Sequence, residues 1–269
     1  MEGRRQFLVI CRVGDKSLHP EWIAGPQRNF DLYISYFGDS PGRYRTDSDY
    51  YEEVKGPKWP IINRIIEENP NLFQRYDAIW LPDDDLAMGT SQINRMFNLF
   101  AGLGFDLAQP ALTVDSHVIY KELIAQPDVI ARYTNFVEIM APIFSRKCFD
   151  QLKDTFGQST SGWGLDHLWP VLLSYQNIGV IDCTPVIHTR PLGGELYKNN
   201  AMSPRDDILT VAAQYPDLNI LPEHEPNKFR VYSAIKIKLR APYWARVVAR
   251  IQKKLNKRRY ERTPRYGAR

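Results

Sequence analysis

The run Leu81-Pro82-Asp83-Asp84-Asp85-Leu86 follows an apolar, strand-like stretch at 76–80, and this junction decides the fold. Three carboxylates at a strand end repel one another unless water or a hard cation offsets their charge. The pattern therefore indicates a metal site in which Asp83 and Asp85 are the ligand pair and Asp84 points the other way. The alternative is an acidic turn or a helix N-cap, because a helical pattern begins a few residues later.

Strand-like and helix-like segments alternate over residues 1–227. Apolar runs of strand length occur at 7–11, 30–37, 77–81, 107–109, 136–140 and 178–182. Helical patterns occur at 58–68, 91–103, 146–155 and 166–175. The alternation predicts an α/β fold, with a Rossmann-like, mainly parallel sheet and helices on both faces. In such a sheet ligands bind beyond the carboxyl ends of the strands, which is where the three aspartates stand.

Charge divides the chain into an acidic body and a basic tail. Residues 1–227 carry 20 Lys and Arg against 30 Asp and Glu, whereas residues 228–269 carry 15 against the single Glu261. We therefore predict an α/β domain over 1–227 and a basic C-terminal tail over 228–269. No apolar run reaches the roughly 18 residues that a membrane-spanning helix needs.

The tail contains an amphipathic helical pattern over 243–255, with apolar residues at steps of three and four. These apolar residues are Tyr243, Trp244, Val247, Val248, Ile251 and Leu255. Trp and aliphatic groups suit the headgroup boundary of a membrane, and the basic residues suit anionic lipid. The pattern predicts a cytoplasmic protein that is peripheral at the inner face of the cell membrane. Packing of this helix on the body is one alternative; nucleic acid is another, against which the acidic body argues.

An Asp-x-Asp after a hydrophobic strand is the means by which nucleotide-sugar glycosyltransferases hold a divalent cation against a diphosphate. The cation, Mn²⁺ or Mg²⁺, bridges phosphate oxygens and offsets the charge on the leaving group. Loops after the first two strands of such a sheet normally enclose the base and ribose, so Asp39 and, more weakly, Arg12 are candidate donor-binding residues. Asp and Gly at strand ends are also ordinary turn formers, which is the alternative there.

Further blocks in the second half of the body carry a resemblance to a known family. They are Thr134-Asn135-Phe136-Val137-Glu138-Ile139-Met140-Ala141-Pro142-Ile143-Phe144-Ser145-Arg146, Gly162-Trp163-Gly164-Leu165-Asp166, Ile178-Gly179-Val180-Ile181-Asp182, Val186-Ile187-His188 and Leu192-Gly193-Gly194. In order and spacing they resemble the plant and bacterial family catalogued as domain of unknown function 707. That family is similar to A-type glycosyltransferases, so the resemblance implies their Rossmann-like fold and a nucleotide-sugar donor.

The resemblance implies a catalytic role for Asp166, which opens a predicted helix. The helix dipole stabilises a carboxylate there as an anion, and the carboxylate is suited to take a proton from an acceptor hydroxyl. Trp163 offers a flat apolar face to a sugar ring, and Glu138 is a second candidate contact for the acceptor or sugar. The alternatives are an N-cap for Asp166 and a core position for Trp163.

The resemblance also implies ligands for the metal and the donor. His188 would complete the metal shell beside the aspartates, since neutral imidazole binds Mn²⁺. Arg190 and the backbone of Gly193 and Gly194 would meet the diphosphate, with Asp84 on the donor side. A histidine at a strand end is otherwise an ordinary core residue.

Two functions of different class follow from the sequence. The first is a metal-dependent glycosyltransferase, inverting if Asp166 is the base, that acts on a glycan or lipid-linked acceptor in the synthesis of cell-surface polysaccharide or glycolipid. The second is a non-catalytic carbohydrate-binding or scaffold protein of the same fold. Intact Asp83, Asp85, Asp166 and His188 favour the enzyme. Metal-dependent phosphoester hydrolysis is disfavoured, because the sequence offers no second His and Asp cluster for two ions.

Overall fold

A computed structural model describes residues 5–191, 203–223, 227–237, 250 and 252–254. The strands are β1 (Phe7–Val13), β2 (Phe30–Tyr36), β3 (Tyr50–Glu53), β4 (Ala78–Trp80), β5 (Leu86–Ala87), β6 (Leu107–Leu112), β7 (Val129–Thr134), β8 (Ile143–Ser145), β9 (Ile178–His188) and β10 (Val231–Lys236). The helices are α1 (His19–Ile23), α2 (Lys58–Glu68), α3 (Thr90–Gly102), α4 (Arg146–Leu152), α5 (Leu165–Leu172) and α6 (Pro204–Gln214). Short 3-10 helices occupy Arg45–Asp47, Phe73–Arg75, Lys121–Leu123 and Lys153–Gln158.

The strands form a mixed sheet in the order β10-β7-β9-β6-β8-β4-β1-β2-β3, and β5 pairs with the end of β9. The neighbours β4, β1, β2 and β3 are parallel, as are β6 and β9. Within this order β7 and β8 run against their neighbours, so β4, β6 and β9 all point the same way. The predicted mainly parallel sheet is confirmed. The carboxyl ends of β1, β2, β4 and β9 therefore meet at one edge, which we call the acidic edge because Asp83–Asp85 follow β4.

Helices cover both faces of the sheet, as predicted. Successive residues of β1 alternate between two apolar clusters, with Val9 in one and Leu8 in the other. Helices α1 and α3 add Trp22 and Phe97 to the first cluster. Helices α2, α4, α5 and α6 pack on the second, where α2 buries Trp59. This anchoring of α2 holds its first residue in place at the acidic edge.

The strand predicted over 136–140 is wrong. That segment is an irregular connection between β7 and β8, and its apolar residues are divided between the two faces: Phe136 packs in the first cluster and Val137 in the second. The amide of Glu138 donates to the Gln109 side chain at 2.6 Å instead of to a strand. The helix predicted over 146–155 also ends earlier, at Leu152, where a 3-10 helix continues to Gln158.

The sheet extends into the stretch predicted as a tail. β10 pairs antiparallel with β7. The segment just before β10 is bound to the residue that follows β7, because the Asn135 side chain donates to the Lys228 carbonyl and accepts from the Arg230 amide. The predicted boundary after residue 227 thus separates β10 from its own sheet. Of the helix predicted over 243–255, only residues 250 and 252–254 are described, and these are helical. Among the described residues no helix is long and apolar enough to cross a membrane.

Two truncated chains test the position of this boundary. A chain ending at Asn227 lacks β10, whereas a chain ending at Ile237 retains it. We expect the free energy of unfolding of the shorter chain to be lower by about 2 kcal/mol or more, since each lost hydrogen bond contributes about 1 kcal/mol. Urea unfolding followed by circular dichroism gives the comparison. Equal midpoints and slopes for the two chains would show that β10 is dispensable and that the body ends at 227.

Candidate functional site

The short strand β5 brings Asp85 and His188 together. Leu86 of β5 lies opposite His188 in the antiparallel pair, and the amide and hydroxyl of Thr189 donate to the Asp85 carbonyl at 3.1 and 2.8 Å. The two side chains are both buried, and Nε2 of His188 lies 3.2 Å from Oδ2 of Asp85. Residues 103 positions apart thus form one polar pair at the acidic edge.

The hydrogen bonds of His188 assign different roles to its two ring nitrogens. Nδ1 lies 2.7 Å from the His117 carbonyl, which can only accept, so Nδ1 carries the hydrogen. In the neutral ring Nε2 then presents a lone pair to the Asp85 carboxylate, and only a proton or a metal ion relieves that contact. Burial opposes the charged ring, but the Asp85 carboxylate and the His117 carbonyl outweigh it and raise the pKa of His188 to about 9.

The donor set of this pair suits a divalent metal. Oδ1 of Asp85 is buried and has no hydrogen-bond partner among the described residues. One imidazole nitrogen and carboxylate oxygens, with the opposite ring nitrogen held by a carbonyl, are typical of a metal-binding histidine and its neighbours. Asp85 and His188 therefore fit as two of the three predicted ligands.

The third predicted ligand, Asp83, is engaged differently. Its Oδ1 forms an ion pair with the Lys58 ammonium at 2.7 Å, and its amide donates to the Met140 carbonyl at 2.8 Å. Over the described part of the chain, no three His, Cys, Asp or Glu side chains are grouped so that they could hold a metal ion. Two of the predicted ligands thus lie side by side, while the carboxylate of the third is paired with a lysine.

Asp84 holds three segments of the acidic edge together. Its Oδ2 accepts from the Gly14 amide at 2.8 Å and its Oδ1 from the Arg190 guanidinium at 2.7 Å. Arg190 also donates to the Lys16 carbonyl at 2.6 Å. Burial raises the pKa of the Asp84 carboxyl, and these donors oppose the shift. Asp84 and Arg190, both predicted to bind the donor, therefore bind each other and the loop after β1.

Asp166 and Glu138 are two buried carboxyls that interact electrostatically with each other, and Glu138 also interacts with His188 and Asp83. Asp166 is the second residue of α5, whose N-cap is Gly164 with a φ of +95°, so the N-cap alternative is wrong. Its Oδ1 accepts from the Gly164 amide at 3.2 Å, and burial nevertheless raises its pKa. Oε2 of Glu138 has no hydrogen-bond partner among the described residues. Burial raises the pKa of Glu138 to about 8; His188 opposes the shift and Asp166 adds to it.

Two aromatic residues accompany this carboxyl pair: Trp163 stands three positions before Asp166 in the chain, and Tyr120 interacts with both carboxyls. Trp163, half-buried, precedes α5, and its carbonyl accepts from the Ser159 hydroxyl at 3.1 Å. Tyr120 was not predicted: its ring centroid is 4.6 Å from that of Phe136, and it interacts electrostatically with Asp166 and Glu138. Tyr120 precedes a 3-10 helix in an irregular segment, so no periodic pattern in the sequence marks it.

The remaining predicted donor residues are placed as follows. The Asp39 carboxylate is 90% exposed and pairs with Lys55. Arg12 is buried and donates to the Ser35 hydroxyl at 2.6 Å and to the carbonyls of Val54 and Gly56, so its guanidinium joins β1 and β2 to the segment after β3. Gly193 and Gly194 lie outside the described residues.

Comparison with known proteins identifies the fold. Neither a protein-family model nor a curated protein sequence matches the chain. The structure is similar to that of S. aureus TarS 1–349 in complex with UDP-GlcNAc, with 13% identity, coverage of 80% of this chain and 68% of that one, and a TM-score of 0.54. It is also similar to glucosyl-3-phosphoglycerate synthase from Mycobacterium tuberculosis in complex with Mn²⁺, UDP-Glc and phosphoglyceric acid, with 13% identity, coverage of 87% and 88%, and a TM-score of 0.49. The likeness to TarS shows the Rossmann-type fold of A-type glycosyltransferases.

Proposed function

We propose that this chain is a metal-dependent glycosyltransferase that uses a nucleotide-sugar donor. The observation that carries the proposal is the buried Asp85–His188 pair, in which Nε2 of the imidazole lies 3.2 Å from a carboxylate oxygen and Nδ1 is held by the His117 carbonyl, so that a proton or a metal ion has to lie between the two side chains. Mn²⁺ or Mg²⁺ held there would offset the charge that develops on the leaving nucleoside diphosphate. The fold supports the same function, because its ligand-binding edge is the one that carries this pair.

The neighbouring carboxyls supply the acceptor chemistry. Asp166 takes the proton of the attacking hydroxyl, for which its raised pKa makes it a stronger base. Attack by that hydroxyl in a single displacement inverts the anomeric centre. Glu138 and Trp163 contact the sugar or acceptor, and Asp39 contacts the base or ribose. Asp84 and Arg190 do not contact the donor themselves; they fix the position of the loop after β1, which contacts it.

The acceptor is proposed to be a glycan or lipid-linked sugar in the synthesis of cell-surface polysaccharide or glycolipid, which fits a protein whose basic C-terminal residues would hold it at an anionic membrane. A non-catalytic carbohydrate-binding protein of the same fold is the second candidate. It is favoured by the Lys58–Asp83 ion pair, which occupies one predicted metal ligand. Turnover of a nucleotide sugar separates the two.

Asp85→Asn tests the metal site. Without this carboxylate we expect binding of UDP to lose its dependence on Mn²⁺ while the protein stays folded, because the Asn side chain is the same size but carries no charge. Isothermal calorimetry with and without Mn²⁺ measures the effect. The matched control is Asp150→Asn, a half-exposed carboxylate on α4. UDP affinity that is unchanged in Asp85→Asn would refute the metal assignment.

Asp166→Asn tests the catalytic base. Turnover should fall by about 10²- to 10⁴-fold, the usual contribution of a general base, with donor binding retained. Steady-state kinetics and calorimetry are measured on the same preparation, again beside Asp150→Asn. If activity survives, or donor binding disappears together with activity, Asp166 has a structural role at the start of α5 instead.

Vesicle flotation tests the proposed contact with an anionic membrane. The full chain should float with vesicles that contain phosphatidylserine and detach as salt shortens the screening length, and the chain ending at Ile237 should not float. The basis is the excess of basic residues beyond 227. A full chain that ignores these vesicles at low salt but binds single-stranded DNA would favour the nucleic-acid alternative.

A further inference from the structure

Lys58 places a positive charge inside the acidic edge. Its ammonium lies 2.7 Å from Oδ1 of Asp83, 3.0 Å from the Ile139 carbonyl and 3.4 Å from the Met140 carbonyl. The Lys58 side chain is 13% exposed. An ammonium has three hydrogens to donate, and three oxygens surround this one.

The position of Lys58 is not one that helix stability favours. Lys58 is the first residue of α2, where the positive end of the helix dipole repels a cation, and the N-cap, Pro57, makes no side-chain cap hydrogen bond. The next residue, Trp59, is buried in the second apolar cluster and fixes the start of the helix. The ammonium is therefore stabilised by the oxygens at the acidic edge and not by its own helix.

We propose that Lys58 is the resident cation of Asp83, so that Asp83 is not a metal ligand. This inference rests on the proposed function, because it removes one of the three predicted ligands, Asp83, from the metal site of that function. Asp85 and His188 face the metal, while Asp83 and Lys58 form a separate ion pair beside it. Lys58 also joins α2 to the 139–140 carbonyls and so positions the segment that carries Glu138.

With only two protein ligands, the metal site depends on the nucleotide for further ligands. Two protein side chains leave most positions of a six-coordinate cation to water or to phosphate oxygens. The protein alone should therefore hold Mn²⁺ weakly, and the affinity should rise strongly when a nucleoside diphosphate supplies further oxygens. We therefore expect the protein to bind the metal complex of the nucleoside diphosphate, and not to bind the free metal first and the free nucleotide second.

The test is a Mn²⁺ titration of the full chain, with and without UDP, followed by the electron paramagnetic resonance of free Mn²⁺. In the presence of UDP, we expect Asp85→Asn to weaken Mn²⁺ binding by about 100-fold or more, because a ligand is lost. Asp83→Asn should weaken it by no more than about tenfold, because only a nearby negative charge is lost. Lys58→Gln frees the Asp83 carboxylate and removes a nearby positive charge, so Mn²⁺ binding should tighten by about tenfold.

A double variant and a control make the result specific. Lys58→Gln combined with Asp83→Asn should lose the gain of Lys58→Gln, which shows that the gain comes through Asp83. Lys153→Gln, which changes a lysine paired with Asp150 away from the acidic edge, should change nothing. Thermal unfolding of each variant reports whether it is folded. If Asp83→Asn loses Mn²⁺ as completely as Asp85→Asn does, this inference is overturned and the proposed function stands. A wild-type chain that binds no Mn²⁺ with UDP overturns both.

Discussion

The structure of the acidic edge depends on how three adjacent carboxylates are kept from repelling one another. Each has a different partner: Asp83 pairs with Lys58, Asp84 with Arg190 and the Gly14 amide, and Asp85 with His188. In the first two pairs the charge is already offset by the protein. In the third, the partner is a ring whose facing nitrogen has no proton of its own in the neutral state. The acidic edge thus has one position where the protein supplies no lysine or arginine and where a proton or an added cation lies between the two side chains, and the proposed chemistry is placed there.

The topology of the sheet creates this position. β4 and β9 run in the same direction although β8 and β6 lie between them, so the residues that follow β4 and the last residue of β9 reach the same edge. β5 then folds back along β9 and fixes Asp85 opposite the strand end. An apolar cluster packs on each face of the sheet and fixes the strands in position, which suits a site whose residues come from distant parts of the chain.

Much of the sheet and of the acidic edge could be predicted from the sequence, because the patterns that indicate them lie within short stretches of the chain. The apolar runs of β1, β2, β4 and β9 have strand length, and the aspartate run stands directly after one of them. The parts that the sequence did not predict depend on contacts between residues far apart in the chain. The apolar residues at 136–140 pack into both clusters, and this segment forms no strand. β10 forms a strand by pairing with β7, which lies far from it in the sequence. The role of Lys58 is of the same kind, since in the sequence it is merely the first residue of a helical pattern.

Thermal unfolding of the full chain with UDP, with and without Mn²⁺, tests most directly the claim that the acidic edge binds a cation and a nucleoside diphosphate together. A ligand that binds only the native state raises Tm by mass action. The account predicts a rise when UDP and Mn²⁺ are both present and little change with either alone. The same rise with UDP alone, or none with the two together, would contradict it.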